Sequence, residues 1–249
     1  MRLSIITIVF NDEKNINKTL NSVFSQTCSS FEYIIIDGAS TDRTLDIIRS
    51  HPITPDVLIS EADAGIADAF NKGVLSSSGD YIYFLNSGDI LHSESVIASV
   101  LDFLKGEGIV VGKVSNPDGK IVGDKFSLKK QKYRNYLPHQ GMFIPKVLFN
   151  TVGYYNESFK LGMDYEWSLR LLSKFPKTNF LFIELHVADM LADGRSVSNY
   201  NETFRLYHSA RCSHNTTNVF YSFLIFKFYF LKRTIGNYVR RLKSFIKEK

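Results

Sequence analysis

The sequence predicts an α/β fold: one mainly parallel sheet with helices on both faces, followed by a helical C-terminal extension. Three observations lead there. Short β-branched runs alternate with segments of helical period over the first hundred residues. The loops that leave those runs are polar and rich in Asp, Ser and Gly. A chain of 249 residues with 44% hydrophobic and 22% charged residues has ample material for a buried core.

Leu3–Phe10 reads as the first strand, and Ile16, Leu20, Val23 and Phe24 recur at helical spacing after it. Phe31–Ile36 is a buried strand, Asp37 to Asp42 a turn able to cap a helix, and Thr44–Ser50 that helix. A brief strand at Val57–Ser60, a helix at Ala67–Leu75 and a strand at Tyr81–Leu85 complete the alternation, the last ending at Asn86-Ser87-Gly88-Asp89. Beyond residue 106 the pattern loosens. Ile109–Val114 and Ile121–Val122 pair around Asn116-Pro117-Asp118-Gly119, a turn signal, and the basic stretch Lys125–Tyr136 has no clear period. Met142–Ile144 is a short strand, a helix begins near Asp164 and continues through Trp167–Leu172, and Phe180–Val187 is a strand. After Asp193-Gly194-Arg195-Ser196 the chain reads as helical.

Composition narrows the function classes. Cys28 and Cys212 lie too far apart for a metal-ligand cluster and are too few for a disulfide framework, which fits a reducing compartment. The N-terminal apolar run leads into Asn11-Asp12-Glu13-Lys14 where a signal peptide would place a small-residue cleavage site, so it is expected to be a strand. Residues 205–249 hold ten Lys and Arg against Glu248 alone, a net +9, and leave −4 for residues 1–204. A basic tail on a mildly acidic body points to an anionic membrane surface and away from a nucleic-acid footprint over the whole fold.

In sheets of this kind ligands sit beyond the carboxyl ends of the strands. Acidic or polar clusters fall there: Asn11 to Glu13, Asp37 to Asp42, Glu61 to Gly73, Asn86 to Asp89, and Met163 to Trp167. Any one carboxylate after a strand is as readily a turn or helix cap as a ligand. Several on one edge repel one another unless a cation or ligand donors join them. Neither G-x-G-x-x-G nor G-x-x-x-x-G-K-[ST] occurs, so a phosphate-bearing ligand calls for Mg²⁺ or Mn²⁺ on hard oxygens such as Asp89.

At these residues the sequence resembles the family-two glycosyltransferases of GT-A fold, over roughly residues 1–200. The resemblance rests on Ser4-Ile5-Ile6-Thr7, on Ile36 to Asp42, on Ser60 to Gly73, on Phe84 to Asp89, on His139-Gln140, and on Asp164 ahead of a helix containing Arg170. In look it is nearest to bacterial enzymes that build capsule, exopolysaccharide or lipopolysaccharide sugars. It implies a nucleotide-binding half of about 1–105 and an acceptor half of about 106–204 within a GT-A domain, with 205–249 as an appended tail. Thr7, Val9, Asn11 and Glu13 at the first strand's exit, with Asp37 and Asp42, would surround the nucleotide. Asp68, Asn71 and Lys72 would line the diphosphate and donor sugar. Asn86, Ser87, Gly88 and Asp89 occupy the Asp-x-Asp metal position, with Asp89 the residue expected to bind the cation.

Asp164 matches the family's general base, the alternative being an N-cap of its helix. His139 and Gln140 would face donor sugar or acceptor, with a structural histidine as an equal alternative for His139. Arg195 would close on the diphosphate, and His186 is read chiefly as structural. The expected activity is inverting transfer of one sugar from a nucleotide sugar, most simply a UDP-sugar, to a lipid-linked or envelope glycan. The other reading kept open is a catalytically inactive nucleotide-sugar-binding or scaffold subunit, motivated by Asn86 and Gly88. Val219–Leu231 is too short to cross a bilayer, which takes about 20 residues in a helix. It suits an interfacial helix, which would give a cytoplasmic protein held peripherally at the inner face of the plasma membrane, the alternative being a helix packed on the catalytic domain or a dimer partner.

Overall fold

The computed structural model describes residues 1–190 except 107 and 127, and then 200–214, 218, 220–228 and 231. The elements are β1 (Leu3–Val9), α1 (Ile16–Phe24), β2 (Phe31–Asp37), α2 (Thr44–Ser50), β3 (Val57–Ser60), α3 (Ile66–Ser76), β4 (Tyr81–Phe84), β5 (Ile90–Leu91) and α4 (Val96–Leu101). They continue with β6 (Ile109–Ser115), β7 (Ile121–Val122), β8 (Met142–Pro145), α5 (Lys146–Val152), α6 (Met163–Lys174), β9 (Phe180–Asp189) and α7 (Tyr200–Ser213). The expected strands and helices recur with ends shifted by a residue or two, the GT-A-like arrangement and the helical C-terminal part included. Elements absent from the sequence reading are β5, α4 and α5, which are too short for a period to register. Within the basic stretch a single 3-10 turn covers Leu128–Lys132.

One sheet runs in the order β3-β2-β1-β4-β8-β6-β9-β5, with β7 beside β6. β1 to β4 are mutually parallel, β8 is antiparallel to both β4 and β6, and β9 is parallel to β6. The sheet is buried on both faces, so alternate residues of a strand belong to different cores. Ile5 packs with α1, α2 and α4 through Leu20, Ile48 and Val96. Ile6 packs with α3, α5, α6 and α7 through Phe70, Phe149, Leu169 and Ala210.

Close approach of α3 to β1 depends on Gly73, where a Cβ would lie 2.4 Å from Ile6 Cγ2. Register aligns the strand ends: Val9 opposes Asp37, Asp37 opposes Ser60, and the Ser87 amide donates to Ile8 O. The loops after β1, β2, β3 and β4 therefore emerge along one edge.

Candidate active site

The loops after β1 and β2 interlock. Asn11 Oδ1 accepts the Thr41 amide at 2.8 Å, the Asn11 amide donates to Ser40 Oγ, and the Glu13 amide donates to Asp42 Oδ2. Glu13 Oε2 accepts the Arg43 amide. Asn11 and Ala39, with φ of 49° and 59°, are the non-glycine residues in the left-handed region among the described residues, and both sit here. Strained backbone of that kind gathers at functional sites. Asp37 is fully buried; Ser60 Oγ donates to its Oδ2 at 2.7 Å, and the Ser40 amide reaches the same oxygen. Thr7 and Val9 lie beneath this surface. Thr7 Oγ1 donates to Leu85 O across the sheet, and Val9 is part of the core.

Three carboxylates hold Lys72 Nζ: Asp63 at 2.8 Å, Glu61 at 3.0 Å and Asp68 at 3.3 Å. Burial works against the charge, but donation to Asp63 and Glu61 outweighs it and keeps the ammonium above the ordinary lysine range. Asn71 is committed to the fold: Nδ2 donates to Tyr155 O, and Oδ1 accepts the Tyr155 amide at 2.9 Å. Its position fixes Tyr155 beneath the site.

At the end of β4, α1 supplies a latch. Thr19 Oγ1 accepts the Gly88 amide at 2.8 Å and donates to Asp89 O at 2.9 Å. Ser87 Oγ donates to Asp12 Oδ2, tying this loop to the one after β1. Gln140 Nε2 reaches Asp89 Oδ2 at 3.1 Å, while Gln140 O accepts the Tyr83 hydroxyl. Asn86 Oδ1 is buried with no hydrogen-bond partner, an arrangement that costs about 1–3 kcal/mol unless a ligand meets it. A carboxylate and an amide oxygen in one loop are hard donors, so these residues fit Mg²⁺ or Mn²⁺.

The second carboxylate lies on α6. Gly162 precedes the helix at φ 71°, and a Cβ there would meet the Tyr207 ring at 2.5 Å, so glycine lets the start of α6 close against α7. Asp164, in the first turn, accepts Asn135 Nδ2 at 2.8 Å. Its charge acts on His139, Tyr155 and Tyr207. His139 Nε2 is 2.9 Å from the Tyr155 hydroxyl, and its ring stacks on Phe84 at 4.9 Å. Burial lowers the imidazole below its ordinary value against the raising influence of Asp164, and burial raises Tyr155 well above the ordinary tyrosine range. Both are neutral near pH 7.

Adjacent residues thus link the two carboxylates, Gln140 touching Asp89 and His139 lying within the field of Asp164. Behind Asp164, Arg170 grips Glu166 with two nitrogens at 3.0 and 3.1 Å, and His214 Nε2 approaches the same carboxylate at 2.7 Å.

Arg195 lies outside the described residues. Asn135, Tyr155 and His214 went unread because each meets its partner across a long stretch of chain. Asn135, in the aperiodic basic stretch, offered no signal at all.

The sequence profile described as Glycosyl transferase family 2 matches residues 4–161. A PGL/p-HBAD biosynthesis glycosyltransferase of Mycobacterium bovis is 32% identical over 177 residues, covering 68% of this chain and 69% of the relative. Among solved structures, S. aureus TarS 1-349 in complex with UDP-GlcNAc superposes with a TM-score of 0.65 at 18% identity, covering 91% of this chain and 70% of that one. Against the longer crystallised form of TarS the match spans 39% of that chain. The mannosyltransferase PcManGT of Pyrobaculum calidifontis, in complex with GDP-Man and Mn²⁺, gives a TM-score of 0.67 at 14% identity, covering 87% of this chain and 64% of that one.

Proposed function

The chain belongs to glycosyl transferase family 2, and from that premise we propose that it transfers one sugar, with inversion, from a nucleoside-diphosphate sugar to a lipid-linked or envelope glycan. The observation that carries the reading is the pair Asp89, held by Gln140 at the exit of β4, and Asp164, held by Asn135 in the first turn of α6. The interlocked loops of Asn11, Glu13, Asp37 and Asp42 receive base and ribose. TarS was crystallised with UDP-GlcNAc, which makes a UDP-sugar the first donor to test.

Asp164 takes the proton of the acceptor hydroxyl as that oxygen bonds to the anomeric carbon from the face opposite the diphosphate. The anomeric C–O bond breaks, nucleoside diphosphate departs, and an α-linked donor yields a β-glycoside. Asn135 aims the Asp164 carboxylate, and the neutral His139 and Tyr155 offer no competing charge. Asp89 with Asn86 would hold a divalent cation, which when bound would supply Lewis-acid neutralisation of charge on the leaving diphosphate.

Residues 220–228 are helical, with Ser222 turned inward and Lys227 exposed. Ser222 is fully buried against α7, where its hydroxyl meets Arg211 Nε at 2.9 Å and His208 Nδ1 at 2.7 Å. Phe220, Tyr221, Phe223, Leu224 and Phe228 are exposed. Outward aromatics beside a basic tail suit an anionic membrane interface, on which a lipid-linked acceptor would be presented. Among the described residues no helix is long and apolar enough to cross a membrane.

The test is nucleotide release from a panel of nucleotide sugars. Asp164→Asn should lower turnover by about 10²–10⁴-fold while donor binding persists. Asp89→Ala should abolish the response to added Mn²⁺. Undiminished turnover in Asp164→Asn would refute the base assignment. A wild-type chain that binds donor but releases no nucleotide, with or without acceptor, would instead support the binding-subunit reading.

A further inference from the structure

A second group of coordinating side chains lies where the proposed transfer uses nothing. β5 pairs antiparallel with the end of β9, Ile90 opposite Asp189 and Leu91 opposite Ala188, and the His92 amide donates to Val187 O. That register gathers His92, His186 and Asp189. His92 Nδ1 is 3.0 Å from Asp189 Oδ2, and His186 Nε2 is 3.0 Å from Asp189 Oδ1. The two imidazoles stack with centroids 3.7 Å apart and planes within 12°. One ligand atom from each residue lies within 4.8 Å of the others. Donors on a tetrahedral ion with bonds near 2.0–2.1 Å sit roughly 3.4 Å apart, so closure needs a shift of about an ångström. The half-exposed His92 side chain can make that shift.

Two observations separate this trio from an ordinary ion pair. His186 Nε2 is buried and has no hydrogen bond of acceptable geometry, although a carboxylate oxygen is near. Ser115 Oγ donates to Asp189 Oδ1 at 2.5 Å, as an outer residue does when it orients a ligating carboxylate.

We propose that His92, His186 and Asp189 form a second cation site, selective for Zn²⁺ or a similar borderline ion. Two imidazole nitrogens and one carboxylate oxygen disfavour Mg²⁺, whereas the oxygen donors at Asp89 favour it. The two carboxylates have different partners: Gln140 contacts that of Asp89, and Ser115 contacts that of Asp189. An ion here pins the two-residue strand β5, which leaves directly from Asp89, to β9, and thereby braces the loop that carries Asp89. The inference does not depend on the transfer reaction.

The experiment is metal content. The full chain is stripped with chelator, dialysed against equimolar Zn²⁺, and assayed for bound zinc and for its unfolding midpoint with and without the ion. Expected are about one Zn²⁺ per chain in the wild type, in Asp89→Ala and in Cys212→Ser, and a midpoint raised by Zn²⁺ in each. His92→Ala should lose the zinc and the shift while keeping the metal-free midpoint, and His186→Gln should lose the zinc as well. Zinc retained by His92→Ala, zinc lost from Asp89→Ala, or no zinc in the wild type would overturn the proposal.

Discussion

His139 shows what burial does to a single group. Its ring is sealed between Phe84, Phe70 and Tyr155, and desolvation holds the imidazole below its ordinary value of 6.5. The unfolded chain therefore binds a proton that the folded chain refuses. Stability from this group is complete above about pH 6.5 and declines as pH falls toward the lowered folded value. Thermal unfolding at pH 7.5 and 5.5 should show a larger drop in the wild type than in His139→Asn, and equal drops would refute the assignment. Asn135 is the second case. As the donor to Asp164, the proposed base, it would position that carboxylate, so Asn135→Ala should lower kcat about tenfold or more with KM for the donor little changed. A change confined to KM would contradict that role. Asp164 was legible before any coordinates because a motif precedes a helix there. Asn135 was not, because its partner is 29 residues away and no periodicity marks the turn that brings it back.

Among elements, α3 is the most tightly specified. Its presence at Ala67–Leu75 was legible to within a residue at each end, but how closely it lies on β1 was not. That closeness rests on the missing side chain of Gly73, whose Cβ would overlap Ile6. Gly73→Ala should destabilise the fold by about 1–3 kcal/mol through overpacking, despite the better helix propensity of alanine. Leu75→Ala, at an exposed site on the same helix, should change stability by less than about 0.5 kcal/mol. Denaturant midpoints compare the two, and a neutral Gly73→Ala would show that α3 can lift without cost. The role of α1 likewise emerges only in three dimensions. Thr19 reads from sequence as an unremarkable polar residue, and the structure makes it the clasp of the Gly88-Asp89 turn.

For the whole molecule, the open matter is the surface left by residues 220–228. Replacing Phe220, Phe223 and Phe228 with Ser should leave the unfolding midpoint in place, since all three are exposed. The same change should abolish co-sedimentation with vesicles containing anionic lipid, while neutral vesicles bind neither form strongly. High salt should weaken wild-type binding, because exposed charges are screened. A triple variant that still sediments would remove the membrane from the account. Local pattern was enough for the alternation of strands and helices, the parallel sheet, the edge on which polar loops gather and the separation of acidic body from basic tail, because neighbouring residues and their periods encode each of these. Tertiary structure alone decided which polar groups meet: Gln140 with Asp89, Asn135 with Asp164, Asn71 with Tyr155, His92 with Asp189. Such pairings depend on strand order and register across dozens of residues, and hydrogen bonds formed at that range leave no spacing in the chain to read.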